Sequence, residues 1–232
     1  MDEKKNKKFI SEKIIGREMT AKRALTLKRA LIVGGGGCGG YYYAGGGGGG
    51  GVILTDVFAN PQIAAAGTIA LHPGAGGCYV MDAIQNGSPS TLAVNGETFT
   101  AFGGGHGGAN GKPVGEGRLG SGGGSGIYSA WGAFTNGIHY TASQGFPGGV
   151  AYNQYWGNAG GGGASEPGCV ITSEGKGRGG EGLSCDITGK TEVYGSGGGG
   201  SGIWGNSAHG KGGTNAGDGG GNDNAYQATA GV

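Results

Sequence analysis

Proline is scarce in this chain, at 6 residues, although glycine supplies 65 of its 232. A collagen triple helix needs glycine at every third position and abundant proline. Runs such as Gly45 to Gly51 break any such triplet, so collagen is excluded. Charge is scarce as well, at 13% of residues, too little for a solvated disordered chain. A flexible Gly/Ser linker would lack large apolar side chains, whereas 3 Trp, 10 Tyr and 6 Phe separate the glycine runs here. No apolar stretch is long enough to span a bilayer. The basic N-terminus is not followed by the apolar core of a secretory signal, because Glu12, Lys13, Arg17 and Glu18 intervene. Release by a signal-independent route such as lysis, or retention inside the cell, is therefore expected. The four cysteines, Cys38, Cys78, Cys169 and Cys185, form no CxxC pair. That spacing speaks against zinc and thioredoxin-type chemistry; buried free thiols are the plainer expectation, one or two disulfides the alternative.

What charge there is lies asymmetrically. The first 30 residues carry ten Lys or Arg and four acids, a net +6 in a chain whose total is +1, so the remainder is −5. A basic arm over 1–30 thus precedes a mildly acidic body, and such an arm suits an anionic partner. Within it Phe9, Ile10, Ile14, Ile15, Met19, Leu25 and Leu27 recur loosely at helical spacing, which leaves a helical or an extended arm open. These residues are the expected anchoring contacts.

The body divides in two. Over 31–108, apolar segments alternate with glycines: Leu31-Ile32-Val33, Val52 to Ala59 and Thr68 to Leu71 read as strands. Thr91 to Val94 and Thr98 to Phe102 flank Asn95-Gly96, a two-residue hairpin signal in which both turn residues tolerate positive φ. Over 109–232 short glycine stretches recur between variable segments. Gly120 to Tyr128 and Gly195 to Trp204 echo each other, each run leading into Gly-Ile-aromatic.

A polyglycine stretch can adopt the polyproline II form, with three residues per turn and no internal hydrogen bonds. Each buried unpaired polar group would cost about 1–3 kcal/mol, so such helices are stable only side by side, bonding to one another. Only glycine permits that approach, since a Cβ holds backbones apart. The run from Gly45 to Gly51 would span about 22 Å at the polyproline II rise. The expected fold is mostly irregular and β: a small β-strand element plus a polyglycine II lattice, with an N-terminal extended or helical arm. Three units are expected: the arm (1–30), a β/glycine-rich base (31–108) and the lattice with variable loops (109–232).

The order of these segments resembles the glycine-rich domain family of phage tail-fibre and fibre-tip proteins. The residues that carry the likeness are Leu31-Ile32-Val33 running into Gly34 to Gly37, the block Gly45 to Gly51, Thr68 to Gly77 with its Pro73-Gly74 and Gly74-Ala75-Gly76-Gly77 turn, and Thr98 to Gly105. Related lattices occur in T-even phage adhesins and in the ectodomains of the anaplastic lymphoma and leukocyte tyrosine kinases. The resemblance implies a non-enzymatic virion fibre or fibre-tip protein. It would be joined to virion or fibre proteins through residues 1–30, displayed on the virion surface, and homo-oligomeric or part of a larger assembly. A purely structural filament or decoration protein and an extracellular matrix or signalling module are the alternatives.

Catalytic constellations are not evident. Gly34 to Gly40 lacks the Lys-Ser/Thr of a phosphate-binding loop. His72, His106, His139 and His209 show no metal-ligand spacing, and the series around Asp218 and Asp223 is incomplete for calcium. No cofactor and no metal are expected. The functional signal is aromatic instead. Tyr128, Trp131, Phe134, His139, Tyr140, Tyr152, Tyr155, Trp156, Trp204 and His209 fall in segments between glycine stretches. Tyr and Trp give rigid amphipathic contact area. These residues are the expected contacts to a host-surface glycan or membrane protein; roofing the glycine slab is the alternative role for each ring.

Overall fold

The computed structural model describes residues 17–41, 44–56, 58, 61–80, 83–108, 120–126, 128–130, 133–135, 144–151, 157–169, 177–202 and 209–219. Among them there is no helix. The strands are β1 (Arg17–Thr20), β2 (Leu25–Thr26), β3 (Ala30–Val33), β4 (Val52–Thr55), β5 (Gln62–Ile63), β6 (Thr68–His72), β7 (Tyr79–Val80), β8 (Ala83–Ile84), β9 (Ser90–Val94), β10 (Glu97–Ala101), β11 (Tyr128–Ala130), β12 (Ala133–Thr135), β13 (Leu183–Cys185) and β14 (Glu192–Tyr194).

The base is an antiparallel four-stranded sheet in the order β1-β6-β9-β10, with β3–β4 and β2–β5 as smaller antiparallel pairs beside it. In β9 the side chains alternate, and Ser90, Leu92 and Val94 point inward, as a half-buried strand requires. Leu92 and Val94 form the apolar cluster with Ile32, Phe58, Ile63, Ala21 and Ala101, and onto it Leu27, Ile53, Ile69, Leu71 and Phe99 pack. Phe58 and Phe99 meet edge to face, 5.4 Å between ring centres, the arrangement favoured by aromatic quadrupoles. The β9–β10 hairpin turns at Asn95 (φ 50°) and Gly96 (φ 82°), so both expected positive-φ residues are present. Within Val52 to Ala59, Val52–Thr55 form the four-residue β4, and Val57 and Ala59 lie outside the described residues.

Residues 17–30, placed in the arm by their charge, are extended and built into the chain's own base. Met19 in β1 faces Ile69 of β6, Leu25 in β2 faces Ile63 of β5, and Leu27 packs on the apolar cluster. Phe9, Ile10, Ile14 and Ile15 lie outside the described residues.

Beyond the base the chain is held by backbone bonds between glycine-rich runs. Run 44–51 is the centre. Its Gly45, Gly48 and Gly51 N–H groups donate to the carbonyls of Gly108, Gly105 and Phe102 at 2.9, 2.8 and 2.8 Å, while Gly46 and Gly49 donate to Ala159 and Gly162. Its carbonyls at Gly45, Gly48 and Gly51 accept from Gly40, Gly37 and Gly34. Those at Gly46 and Gly49 accept from Gly124 and Ser121, and those at Ala44 and Gly47 from Ser201 and Gly198. Bonds to one neighbour thus recur at every third residue, not every second as in a strand. Five runs surround 44–51: 34–40, 102–108, 120–126, 157–164 and 195–202. Successive members also bond to one another, as in Gly104 to Gly35, Gly105 to Ser121, Gly162 to Gly122 and Gly161 to Gly198.

The spacing between runs leaves no room for side chains. A Cβ built on Gly47 would fall within the carbonyl oxygen of Gly37, and one on Gly161 within that of Gly47. Gly39, at the periphery, meets nothing within 4 Å. Overpacking a fixed interior typically costs about 1–3 kcal/mol, and here the obstacle is backbone that has no rotamer to change. Gly161→Ala should therefore lose about 3 kcal/mol or fail to fold, whereas Gly39→Ala should stay within about 0.5 kcal/mol of the parent, as surface changes usually do. Urea unfolding monitored by near-UV circular dichroism checks both.

Candidate functional site: the loop-bearing end

The runs order the chain into two ends. At one end Gly34 bonds to Gly51 and Gly51 to Phe102, which places β3, β4 and β10 together where they enter or leave the runs. At the other end the points where segments depart are tied in a continuous net. Gly40 bonds to Gly45, Gly45 to Gly108, Gly108 to Gly124, and Ala159 to Ser125. Gly157 and Gly202 form an antiparallel bridge. Gly200 bonds to Gly177, Gly210 to Gly200 and Gly219 to Gly210. The stretches that begin after Tyr41, Gly108, Gly126, Ala151, Cys169, Gly202 and Gly219 thus all depart from the end opposite the base.

Serine hydroxyls lock this net. Ser125 Oγ accepts the Ala151 N–H at 2.6 Å. Ser201 Oγ accepts both the Ala44 N–H at 3.0 Å and the Asn158 side-chain amide at 2.9 Å. Asn158 is fully buried, and its amide also donates to the Ser201 carbonyl at 3.1 Å, as a buried amide requires partners. The serine-flanked echo in the sequence therefore has a structural counterpart: Ser125 and Ser201 stand at equivalent points, where their runs end. Ser201→Ala would remove the acceptor of the Ala44 N–H and one of two acceptors of the Asn158 amide, which keeps the Ser201 carbonyl at 3.1 Å; a buried donor left without a partner costs about 1–3 kcal/mol. A loss of about 2 kcal/mol in urea unfolding is expected, with Ser201→Thr restoring part of it.

The expected recognition residues fall at this end only in part within the described structure. Tyr128 lies in β11 and Phe134 in β12, which pair antiparallel as a hairpin with Ser129 opposite Phe134. His209 is half-buried at the start of the run that ends at Gly219. Trp131, His139, Tyr140, Tyr152, Tyr155, Trp156 and Trp204 lie outside the described residues. One aromatic at this end was missed in the sequence: Tyr41 is 60% exposed. Its signal was available, since Tyr41-Tyr42-Tyr43 separates two glycine runs.

Charged groups brace one flank of the array. Arg178 bridges Glu166 at 2.9 Å and Glu181 at 3.0 Å. The Thr214 backbone N–H is the main cause holding Glu181 below its usual range, with Arg178 adding to it. Asp218 is likewise held low, first by the Lys211 ammonium at 2.7 Å and then by the Gly212 N–H at 2.9 Å. The four thiols are free, and only Cys185 is buried; Cys78 is exposed and Cys38 and Cys169 are half-buried, so the expectation of buried thiols holds for one of the four. Burial raises Cys38, and the neighbouring Cys78 adds to the effect. Among the described residues no group of three His, Cys, Asp or Glu side chains could hold a metal ion.

The profile of the glycine-rich domain family matches residues 17–232. The chain belongs to the glycine-rich domain family. The match begins where β1 begins, so it takes in the base as well as the runs. No curated protein and no solved structure matches the chain.

Because the carboxyls of Glu181 and Asp218 are lowered in the folded glycine-rich domain, their contribution is fully present above the ordinary carboxylate range, near pH 4. It is lost as pH falls through the lowered values. The melting temperature should be level at neutral pH and fall below about pH 4. The Glu181→Gln/Asp218→Asn protein should melt lower at pH 7 and show a shallower acid slope, as a thermal series at several pH values would show.

Proposed function

We propose that this glycine-rich domain protein is a phage virion fibre or fibre-tip protein whose runs form a polyglycine II lattice. Its N-terminal arm joins the virion, and its loops contact the host surface. The observation that carries this reading is the polarity of the molecule: the N-terminal strands belong to the base, and seven segments leave the runs at the opposite end, although after two of them the chain re-enters at the base end, at Gly120 and Gln144. An attachment protein needs that separation, because the end that docks must not be the end that searches.

The lattice reading draws on the three-residue recurrence of the backbone bonds and the five neighbours of run 44–51. A polyproline II helix directs its N–H and C=O groups sideways in three directions each, which suits a central run bonded on nearly all sides. Such a scaffold fixes loop roots while leaving loop sequences free, the logic of a site grafted on a rigid frame. Aromatic anchors are then supplied by Trp131, Trp156 and Trp204 with Tyr128, Tyr140 and Tyr155. Display of many copies on one particle amplifies weak single contacts.

The test is adsorption. Truncating a true aromatic anchor costs about 2 kcal/mol or more, roughly a thirtyfold loss. Trp131→Ala, Trp156→Ala and Trp204→Ala should each reduce binding of the labelled protein to host cells while thermal unfolding barely shifts. Binding that simply follows the folded fraction would make the rings roof instead. Deleting residues 1–16, which precede the base, should leave the body folded but abolish incorporation into particles. Incorporation at the normal level would refute the anchoring role.

A further inference from the structure

Among the described residues, run 44–51 has one side on which no run lies. The five neighbours follow one another around it in the order 34–40, 102–108, 120–126, 157–164, 195–202. The gap between the last and the first is a groove of about 820 Å³. Its floor is Gly46 to Gly50, one wall is Gly34 to Gly39 with Gly76 and Gly77, and the other wall is Val193 to Ser201 with Thr214 to Gly219. It extends from the base end to the level of Ser201.

The polar groups that face this gap are ordered. Around run 44–51, donating and accepting directions alternate: donors to 102–108 and 157–164, acceptors from 34–40, 120–126 and 195–202. The remaining direction is a donating one and belongs to Gly47 and Gly50, whose N–H groups have no backbone acceptor among the described residues. On the first wall the same alternation leaves the carbonyls of Gly34 and Gly37, and on the second those of Ser196 and Gly199, without a backbone donor among the described residues. A strand in the gap would meet acceptors, then donors, then acceptors. A polyproline II chain presents donors and acceptors sideways in turn, with a three-residue repeat. The order offered by the gap is the complement of that order, at the three-residue spacing of the other runs.

Independent support comes from the positions of the missing side chains. Most lattice glycines could not carry a Cβ without striking backbone, but Gly36, Gly39, Gly76 and Gly198 could. All four line this groove. A Cβ on Gly198 would stand 3.5 Å from the Gly47 nitrogen and 3.6 Å from the Gly217 oxygen, in ordinary contact. These glycines are not required by the packing around them; they leave the groove smooth enough for another backbone to lie against it.

We infer that the groove is the docking site for a glycine-rich polypeptide strand from a separate partner chain, which enters as the sixth neighbour of run 44–51. This rests on the lattice reading above. The strand would carry a run of at least about five glycines, the length of the floor Gly46 to Gly50 at the polyproline II rise. Its carbonyls would accept from Gly47 and Gly50, and its N–H groups would donate to Gly34, Gly37, Ser196 and Gly199. Recognition is by backbone alone, so partner identity is set by the absence of Cβ atoms along the run.

The full-length protein is titrated with a soluble peptide of seven glycines flanked by lysines, followed by amide NMR shifts and calorimetry. Saturable binding is expected, with the largest shifts at Gly47 and Gly50. A control peptide with alanine at the three central positions should bind at least tenfold more weakly. Gly36→Ala/Gly198→Ala should melt like the parent yet lose at least tenfold in peptide affinity. Absence of peptide binding by folded protein, equal binding of the alanine peptide, or unchanged binding to the double variant would each overturn the proposal. Concentration-dependent self-association without peptide, abolished by the double variant, would assign the groove to a second copy and overturn the separate partner. The lattice reading fails separately, by tolerance of Gly161→Ala.

Discussion

Backbone hydrogen bonding between runs that have no Cβ is the interaction on which the rest of this structure depends. In an ordinary domain the core is a volume filled by side chains. Here a small apolar cluster around Leu92, Val94 and Ile63 closes the base, while the larger part of the body has an interior of peptide groups. Burial without side chains brings little hydrophobic gain, so each amide must find a partner. Glycine also surrenders more backbone entropy on ordering than any other residue. The three-residue recurrence meets the first demand, since each run can bond to several neighbours at once. A run in a β-sheet bonds to two at most, and a layer of glycine strands would leave its faces bare. Cα–H groups close against carbonyls, as at Gly47 and Gly37, add the weak contacts familiar between adjacent strands.

The base solves a problem that the runs create. Glycine runs carry little information about register, because one glycine is like the next. Register must come from the ends. The Ile32–Ile53 and Leu31–Leu54 pairs of β3 and β4 fix run 34–40 against run 44–51, since each strand continues directly into its run. The β9–β10 hairpin fixes run 102–108 in the same way, because β10 ends at Ala101. Gln144 performs the same service by side chain: its Oε1 accepts the Phe102 N–H and its Nε2 donates to the Thr100 carbonyl, each at 2.7 Å. Ser125, Ser201 and Asn158 set the far end. Specificity is thus concentrated at the two ends of a body whose middle is uniform.

That uniformity explains what the sequence could disclose. β3, β6 and the Asn95-Gly96 hairpin were legible because apolar alternation and turn chemistry are local signals. β1 was hidden: Arg17-Glu18-Met19-Thr20 reads as part of a charged arm, and it becomes a strand only because β6 offers it an edge. The β13–β14 hairpin was hidden as well, since its residues lack apolar alternation and its turn uses Gly189 at φ 89° within Asp186 to Lys190. Which run lies beside which was not legible at all. Runs 144–151 and 177–182 contain Phe146, Pro147, Arg178 and Glu181, so they do not even read as glycine runs. Yet they bond into the array through the backbone like the rest. The departure of these segments from one end is a consequence of that order, and it too lies beyond composition.

A body of this kind separates the roles of its residues in an unusual way. In a side-chain core, residues that hold the fold and residues near a binding site often touch, and changes in one disturb the other. Here the interior is glycine, so nothing in a departing segment needs to reach inward. The segments meet the body at backbone bonds such as Gly45 to Gly108 and Gly200 to Gly177, which any loop sequence leaves in place. The same property reverses along the groove beside run 44–51. There the smooth wall is itself the recognising surface, and Gly36 and Gly198 are held free of side chains although their surroundings would accept one. Glycine thus serves two ends in one fold: at most positions packing forbids anything larger, while at these few only an incoming backbone would.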